Sequence, residues 1–160
     1  MASLQYDPHE HIISEAWLAL DESERMEVVR RYHRKQRIRL PNETIHATVH
    51  VIVENQVALG DSFPAKAVLL RLMKEGLDRH DAIHAIGSVL SEELFVLMNA
   101  PNSQRDPNAD YMEKLKSLTA ESWRKLASLT SETATESIAD PSVAPETGHF
   151  RIAHDSPAIF

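Results

Sequence analysis

Nine histidines stand in a chain of 160 residues that has no cysteine. Four of them form two pairs of equal spacing, His46/His50 and His80/His84. A spacing of four places two imidazoles one helical turn apart on one face, where they can share a metal ion if a neighbouring helix completes the ligand set. The first pair lies in Glu43-Thr44-Ile45-His46-Ala47-Thr48-Val49-His50-Val51-Ile52-Val53-Glu54. With His46 as origin and about 100° per residue, His50 falls near +40°, Glu43 near +60° and Glu54 near +80°. Val49, Val53 and Val57 lie within about 60° of the same origin, so the imidazoles are expected to face the core, while Thr48 and Asn55 mark the solvent side.

The second pair repeats the device. With His80 as origin, His84 lies near +40°, and Gly87, Ser91, Leu94 and Met98 lie within about 40° of zero. Gly87 and Ser91 are small and would admit a close neighbour. Glu92 falls near +120° and Glu93 near −140°, which makes Glu92 the better candidate ligand of the two. Imidazole with carboxylate suits zinc, iron, manganese, nickel or copper better than calcium or magnesium. His46, His50, His80 and His84 are therefore read as ligands of a divalent transition metal, iron, zinc or manganese first. Glu54 is the first carboxylate, with Glu92 or Glu43 second. Glu43-x-x-His46 is half of the Glu-x-x-His device of di-iron bundles, but no matching Glu is identifiable on other helices, so the number of ions stays open. Two other readings fit the same residues: a metal-free network of imidazoles and carboxylates, and a cleft for a small ligand. Any catalysis would run through a metal-bound water with a carboxylate as base. No His-Glu-x-x-His, Gly-rich phosphate loop, Ser-His-Asp arrangement or signature of an organic cofactor occurs.

The elements that must position these residues are helical. Capping signals recur at Asp7-Pro8-His9-Glu10, Asp21-Glu22-Ser23-Glu24 and Asp78, with breaks at Leu40-Pro41-Asn42, Gly60–Pro64 and Gly76. They predict a first helix after Asp7, a second from Asp21 to about Arg37 and a third over about Glu43–Leu59. A fourth follows over Ala65–Glu75 and a fifth from Arg79 to about Met98. A last helical region over Ala109–Leu129 carries a fresh cap signature at Thr119. If the fourth helix is a return leg, the third and fifth run parallel. Trp17, Trp123 and Phe95 read as core. The expected architecture is all-α, a single bundle of about six helices over residues 5–129. A disordered acidic Ser/Thr/Pro/Ala-rich tail is expected over 130–160, with His149 and His154 solvated.

The net charge of −7 opposes general nucleic-acid binding, yet seven of the 17 Lys and Arg fall between Arg25 and Arg39. Arg30, Arg31, Arg34, Lys35 and Arg37 could meet an acidic partner or RNA, so a non-catalytic interaction module is the alternative function. Against it stands a solvated face that balances nearby acids. The start of the chain has no basic and apolar leader pattern, and no apolar run approaches the roughly 20 residues of a membrane span, so a cytoplasmic protein is expected.

The stretch from Ile45 to Leu94 resembles a bacterial family described as a domain of unknown function. The resemblance rests on His46-x3-His50-Val51-Ile52-Val53-Glu54-Asn55-Gln56 followed by Asp78-Arg79-His80-x-Ala82-Ile83-His84-Ala85-Ile86-Gly87. It implies a small helical bacterial protein and no particular activity.

Overall fold

The computed structural model describes residues 4–101 and 104–136. Among the described residues seven helices follow one another: α1 (Ser14–Ala19), α2 (Glu22–Lys35), α3 (Glu43–Ala58), α4 (Ala65–Lys74), α5 (Arg79–Asn99), α6 (Pro107–Ser117) and α7 (Ala120–Glu136). A single 3-10 turn, Gly60–Ser62, lies between α3 and α4. Among the described residues there is no strand, and no helix is long and apolar enough to cross a membrane. The all-α expectation holds. The seventh helix arises because the chain does break at Thr119, whose Oγ1 accepts from Ser122 N at 3.1 Å.

Side-chain caps set most of the starts. Asp21 and Glu24 form a reciprocal capping box at α2. Asn42 accepts from Thr44 N and Ile45 N at α3, and Asp78 accepts from Asp81 N at α5. Asp106, followed by Pro107, caps α6. Gly76 (φ +102°) closes α4, and Leu77 N reaches back to Leu72 O at 3.1 Å, a left-handed stop that glycine takes without a side-chain clash. Arg37 (φ +56°) performs the same stop for α2, with Ile38 N bonded to His33 O. That stop ends the helix two residues before the expected boundary.

Asp7-Pro8-His9-Glu10 is a turn, not the start of a helix. Asp7 Oδ1 accepts from His9 N at 2.9 Å, and α1 begins only at Ser14. The reason is a tertiary contact: Pro8 is buried and its carbonyl accepts from the Arg79 guanidinium, so it is not available to a helical ladder. At the other end α7 runs to Glu136, past the expected boundary at 129. The rest of the expected tail, residues 137–160 with His149 and His154, lies outside the described residues.

α3 is the central element. Val49, Val53 and Val57 pack into one apolar cluster with α4, α5, α6 and α7. Ala47 and Val51 belong to a second cluster with Trp17, Val28 and Val29. A helix apolar on most of its circumference must be covered on most sides. Asn55, expected to face solvent, accepts hydrogen bonds from Trp17 Nε1 (2.9 Å) and Arg25 (3.0 Å), because α1 and α2 cover that side. α2 and α3 run in opposite senses, as the pairs His33–His46 and Arg25–Asn55 require. α3 and α5 do so as well. His84 meets His50, and Arg79 meets Glu54, so rising numbers on α3 match falling numbers on α5. The expected parallel arrangement is therefore replaced by an opposed one; α4, with ten residues against sixteen in α3, does not act as a full return leg.

Trp17 and Trp123 are buried, but Phe95 is 67% exposed, and Leu94 and Met98, on the expected apolar face, are exposed too. α5 has 21 residues and its neighbours α4 and α6 have ten and eleven, so its C-terminal turns extend past them.

Candidate metal centre

α3 delivers His46 and His50, α5 delivers His80 and His84, and α2 adds His33. All five are buried, His80 the most accessible at 8%. One nitrogen from each ring lies within 4.8 Å of those of the other four. His33 Nε2 is 3.1 Å from His46 Nε2, and His50 Nε2 is 3.0 Å from His84 Nε2. The structure thus brings the four sequence-expected histidines to one point and adds a fifth.

Hydrogen bonds behind the rings decide which nitrogens carry protons. His33 Nδ1 lies 2.9 Å from the Val29 carbonyl, which only accepts, so Nδ1 is protonated and Nε2 presents its lone pair inward. His50 is set by a longer relay. Arg79 donates to both oxygens of Glu54 at 2.8 and 2.7 Å. Glu54 accepts the single phenolic proton of Tyr6 at 2.9 Å. The Tyr6 oxygen is left to accept from His50 Nδ1 at 3.2 Å, and His50 Nε2 also faces inward without a proton. Burial, and then the charge of Glu54, push the Tyr6 hydroxyl well above its ordinary pKa, so it keeps the proton that the relay needs. His80 Nε2 is buried with no hydrogen-bond partner.

All five imidazoles are held neutral. Burial drives His46 and His80 down to about 3, helped in each by His33. It holds His50 and His84 well below their usual value, with the neighbouring histidines adding to the effect. His33 is lowered by burial against the opposing pull of the Val29 carbonyl. With the Nε2 atoms of His33 and His50 bare, His46 Nε2 and His84 Nε2 donate to them at 3.1 and 3.0 Å, so these two rings must shift their proton to Nδ1 before Nε2 can bind an ion. The neutral imidazole is the form that binds metal.

The carboxylates take other places. Glu54 is fully buried and engaged by Arg79 and Tyr6, so it orients a ring instead of joining the nitrogen cluster. Glu92 is exposed and pairs with Lys114; eight residues beyond His84, it stands about 12 Å further along the helix. Glu93, not Glu92, is the buried member of that pair, held by Lys114 at 2.7 Å. Glu43 pairs with Arg34 Nε at 2.7 Å. Gln56 accepts from the Tyr111 hydroxyl at 2.7 Å.

Much of the basic segment is spent internally. Arg25 donates to Trp17 O, Leu18 O and Leu20 O and so fastens the end of α1 to α2. Arg30 donates to Thr44 Oγ1 at 2.9 Å, and Arg34 bridges Glu27 and Glu43.

Three participants were not singled out from the sequence as parts of the site: His33, Tyr6 and Arg79. A signal for His33 existed, since it lies four residues after Val29 on the buried face of α2. Tyr6 and Arg79 carry no such periodic mark. No protein-family model matches the chain, and neither curated proteins nor solved structures show a similar one.

Proposed function

We propose that this is a transition-metal-binding protein whose ligands are His33, His46, His50, His80 and His84. The observation that carries the reading is the convergence of five buried, neutral imidazole nitrogens within 4.8 Å of one another. Nitrogens bound to one zinc lie about 3.4 Å apart in a tetrahedron and about 4.2 Å apart only when opposed across the ion. The pairs at 3.1 and 3.0 Å already lie within those distances, and a pair at the 4.8 Å limit closes on a single ion by drawing in about 0.6–1.4 Å. An all-imidazole donor set favours zinc, copper, nickel or iron(II) over manganese, which prefers carboxylate oxygen. The reading therefore assigns Glu54 a positioning role and gives Glu92 and Glu43 none.

Metal-free full-length chain titrated with zinc or cobalt(II) is expected to take up close to one equivalent. At a hundredfold excess over Kd its unfolding free energy rises by about 2.7 kcal/mol. His50→Ala, which removes the most deeply buried ligand, abolishes that gain. A melting temperature and metal content indifferent to added metal would overturn the reading and leave the rings as a hydrogen-bonded network. Tyr6→Phe tests the relay. It keeps the ring and deletes the oxygen behind His50 Nδ1, and is expected to weaken binding by about 10–100-fold. Affinity unchanged in Tyr6→Phe would remove the relay from the account.

A further inference from the structure

All five rings are buried, and the most accessible of them, His80 at 8%, is the one in contact with His9 in the turn that precedes α1. That turn is tied to the centre on both sides of its tip. Tyr6 bonds to His50 and Glu54, and Pro8 O accepts from Arg79 at 3.0 Å. At the tip, the His9 ring stands edge-on to His80 with centroids 5.1 Å apart, and His80 is the most accessible of the five. His9 itself is about half exposed, at 48%. Its Nδ1 lies 3.1 Å from Asp7 Oδ1 and 3.1 Å from the Tyr32 hydroxyl. The carboxylate only accepts, so the proton sits on Nδ1 and Nε2 keeps a free lone pair. A carboxylate behind a histidine is the usual support for a metal-ligating imidazole. Asp7 and the exposed Asp78 add negative charge at this mouth.

We propose that this turn is the entry port of the metal centre: His9 Nε2 captures a hydrated divalent transition-metal cation at the surface and passes it to His80. This rests on the five-histidine reading above. The next acceptor is the buried, unpartnered His80 Nε2, so the ion exchanges water for imidazole one ligand at a time. No bond other than metal–ligand bonds changes, and the waters leave through the same mouth. Asp7 orients His9, and with Asp78 it concentrates cations there.

The test is stopped-flow uptake of cobalt(II) by the metal-free full-length protein. His9→Ala and Asp7→Asn are each expected to slow association on the order of tenfold and to weaken its dependence on ionic strength. Dissociation slows in parallel in His9→Ala, because a port speeds both directions, and Kd stays within about threefold of wild type. Glu92→Gln removes an equal charge far from the turn and leaves the rate unchanged. Wild-type rates in both His9→Ala and Asp7→Asn would overturn the port, with the metal centre intact. Weakened Kd at an unchanged association rate would overturn it too, by making His9 a resident ligand. Failure of the wild-type chain to bind cobalt or zinc would instead overturn the centre itself, and the port with it.

Discussion

Arg79→Met is expected to cost about 3–5 kcal/mol of stability, which lowers the melting temperature by roughly 10 °C in a domain of this size. The residue is 3% exposed and its partner Glu54 is fully buried, joined to it by two hydrogen bonds of 2.8 and 2.7 Å. Methionine fills similar space, so the loss comes from electrostatics more than from a cavity. The variant leaves a carboxylate in the interior without a counter-charge, and the Pro8 carbonyl without its donor. Glu54 then takes a proton to escape the unpaired charge. The double variant Arg79→Met/Glu54→Leu should regain much of the stability, since removing both charges costs less than stranding one. A single-variant loss below about 1 kcal/mol would contradict the buried pair.

The same variant should also weaken metal binding. A protonated Glu54 no longer demands the Tyr6 proton, so the hydroxyl can turn toward His50 Nδ1. His50 then carries its proton on Nε2, the atom meant for the ion. A loss of about 10–100-fold in affinity is expected, and it should persist at temperatures where both proteins are fully folded. Equal affinity in the folded variant would separate the ion pair from the centre.

How far the sequence carried the site follows from what each residue answers to. His46, His50, His80 and His84 were legible because a spacing of four is a local fact about a helix, and apolar neighbours marked their face. Glu54 was legible as belonging to the site, but its role was not. Whether a buried carboxylate binds an ion or a guanidinium depends on what stands opposite, and Arg79 is 25 residues away in sequence. Tyr6 sits in an irregular segment, where no periodicity exists to read. His33 was masked by its setting among Arg30, Arg31, Arg34 and Lys35, although its own contacts are buried.

The fold shows the same division. Caps at Asp21 and Asp78 are local and mark starts of helices as expected, while Asn42, expected as part of a break, and Asp106, before a helix expected only from about Ala109, also prove to be caps. The Asp7-Pro8 signature has the same chemistry but loses to a tertiary hydrogen bond. Relative direction is not local either. A short α4 leaves the sense of α5 against α3 to packing, and packing chose the arrangement that sets Arg79 beside Glu54 and His84 beside His50. Phe95 looked like core because its helix is apolar, but burial needs a neighbour of matching length.

Without metal, the protein is expected to unfold in mild acid, with a midpoint near pH 5 on the order-of-magnitude arithmetic of proton linkage. The five central histidines titrate near 6.5 in the unfolded chain. In the folded chain burial depresses all five, His46 and His80 down to about 3. Between those values the unfolded state binds more protons than the folded one, so stability is full above about 6.5 and falls as the pH drops toward 3. Each histidine contributes up to about 1.4 kcal/mol per pH unit, and five acting together, at up to about 7 kcal/mol per unit, exhaust a stability of about 5–15 kcal/mol within about one to two units below 6.5. Bound metal opposes the change, because each ligand must lose the ion before it gains a proton. Saturating zinc should therefore move the acid midpoint downward. His46→Phe/His80→Phe should make the metal-free transition shallower, since two of the differing protons are gone. Melting temperatures taken from pH 7 to pH 4, with and without zinc, measure this directly. A metal-free protein equally stable at pH 7 and pH 5 would mean that its rings are not buried neutral, and would remove the electrostatic basis for an ion at their centre.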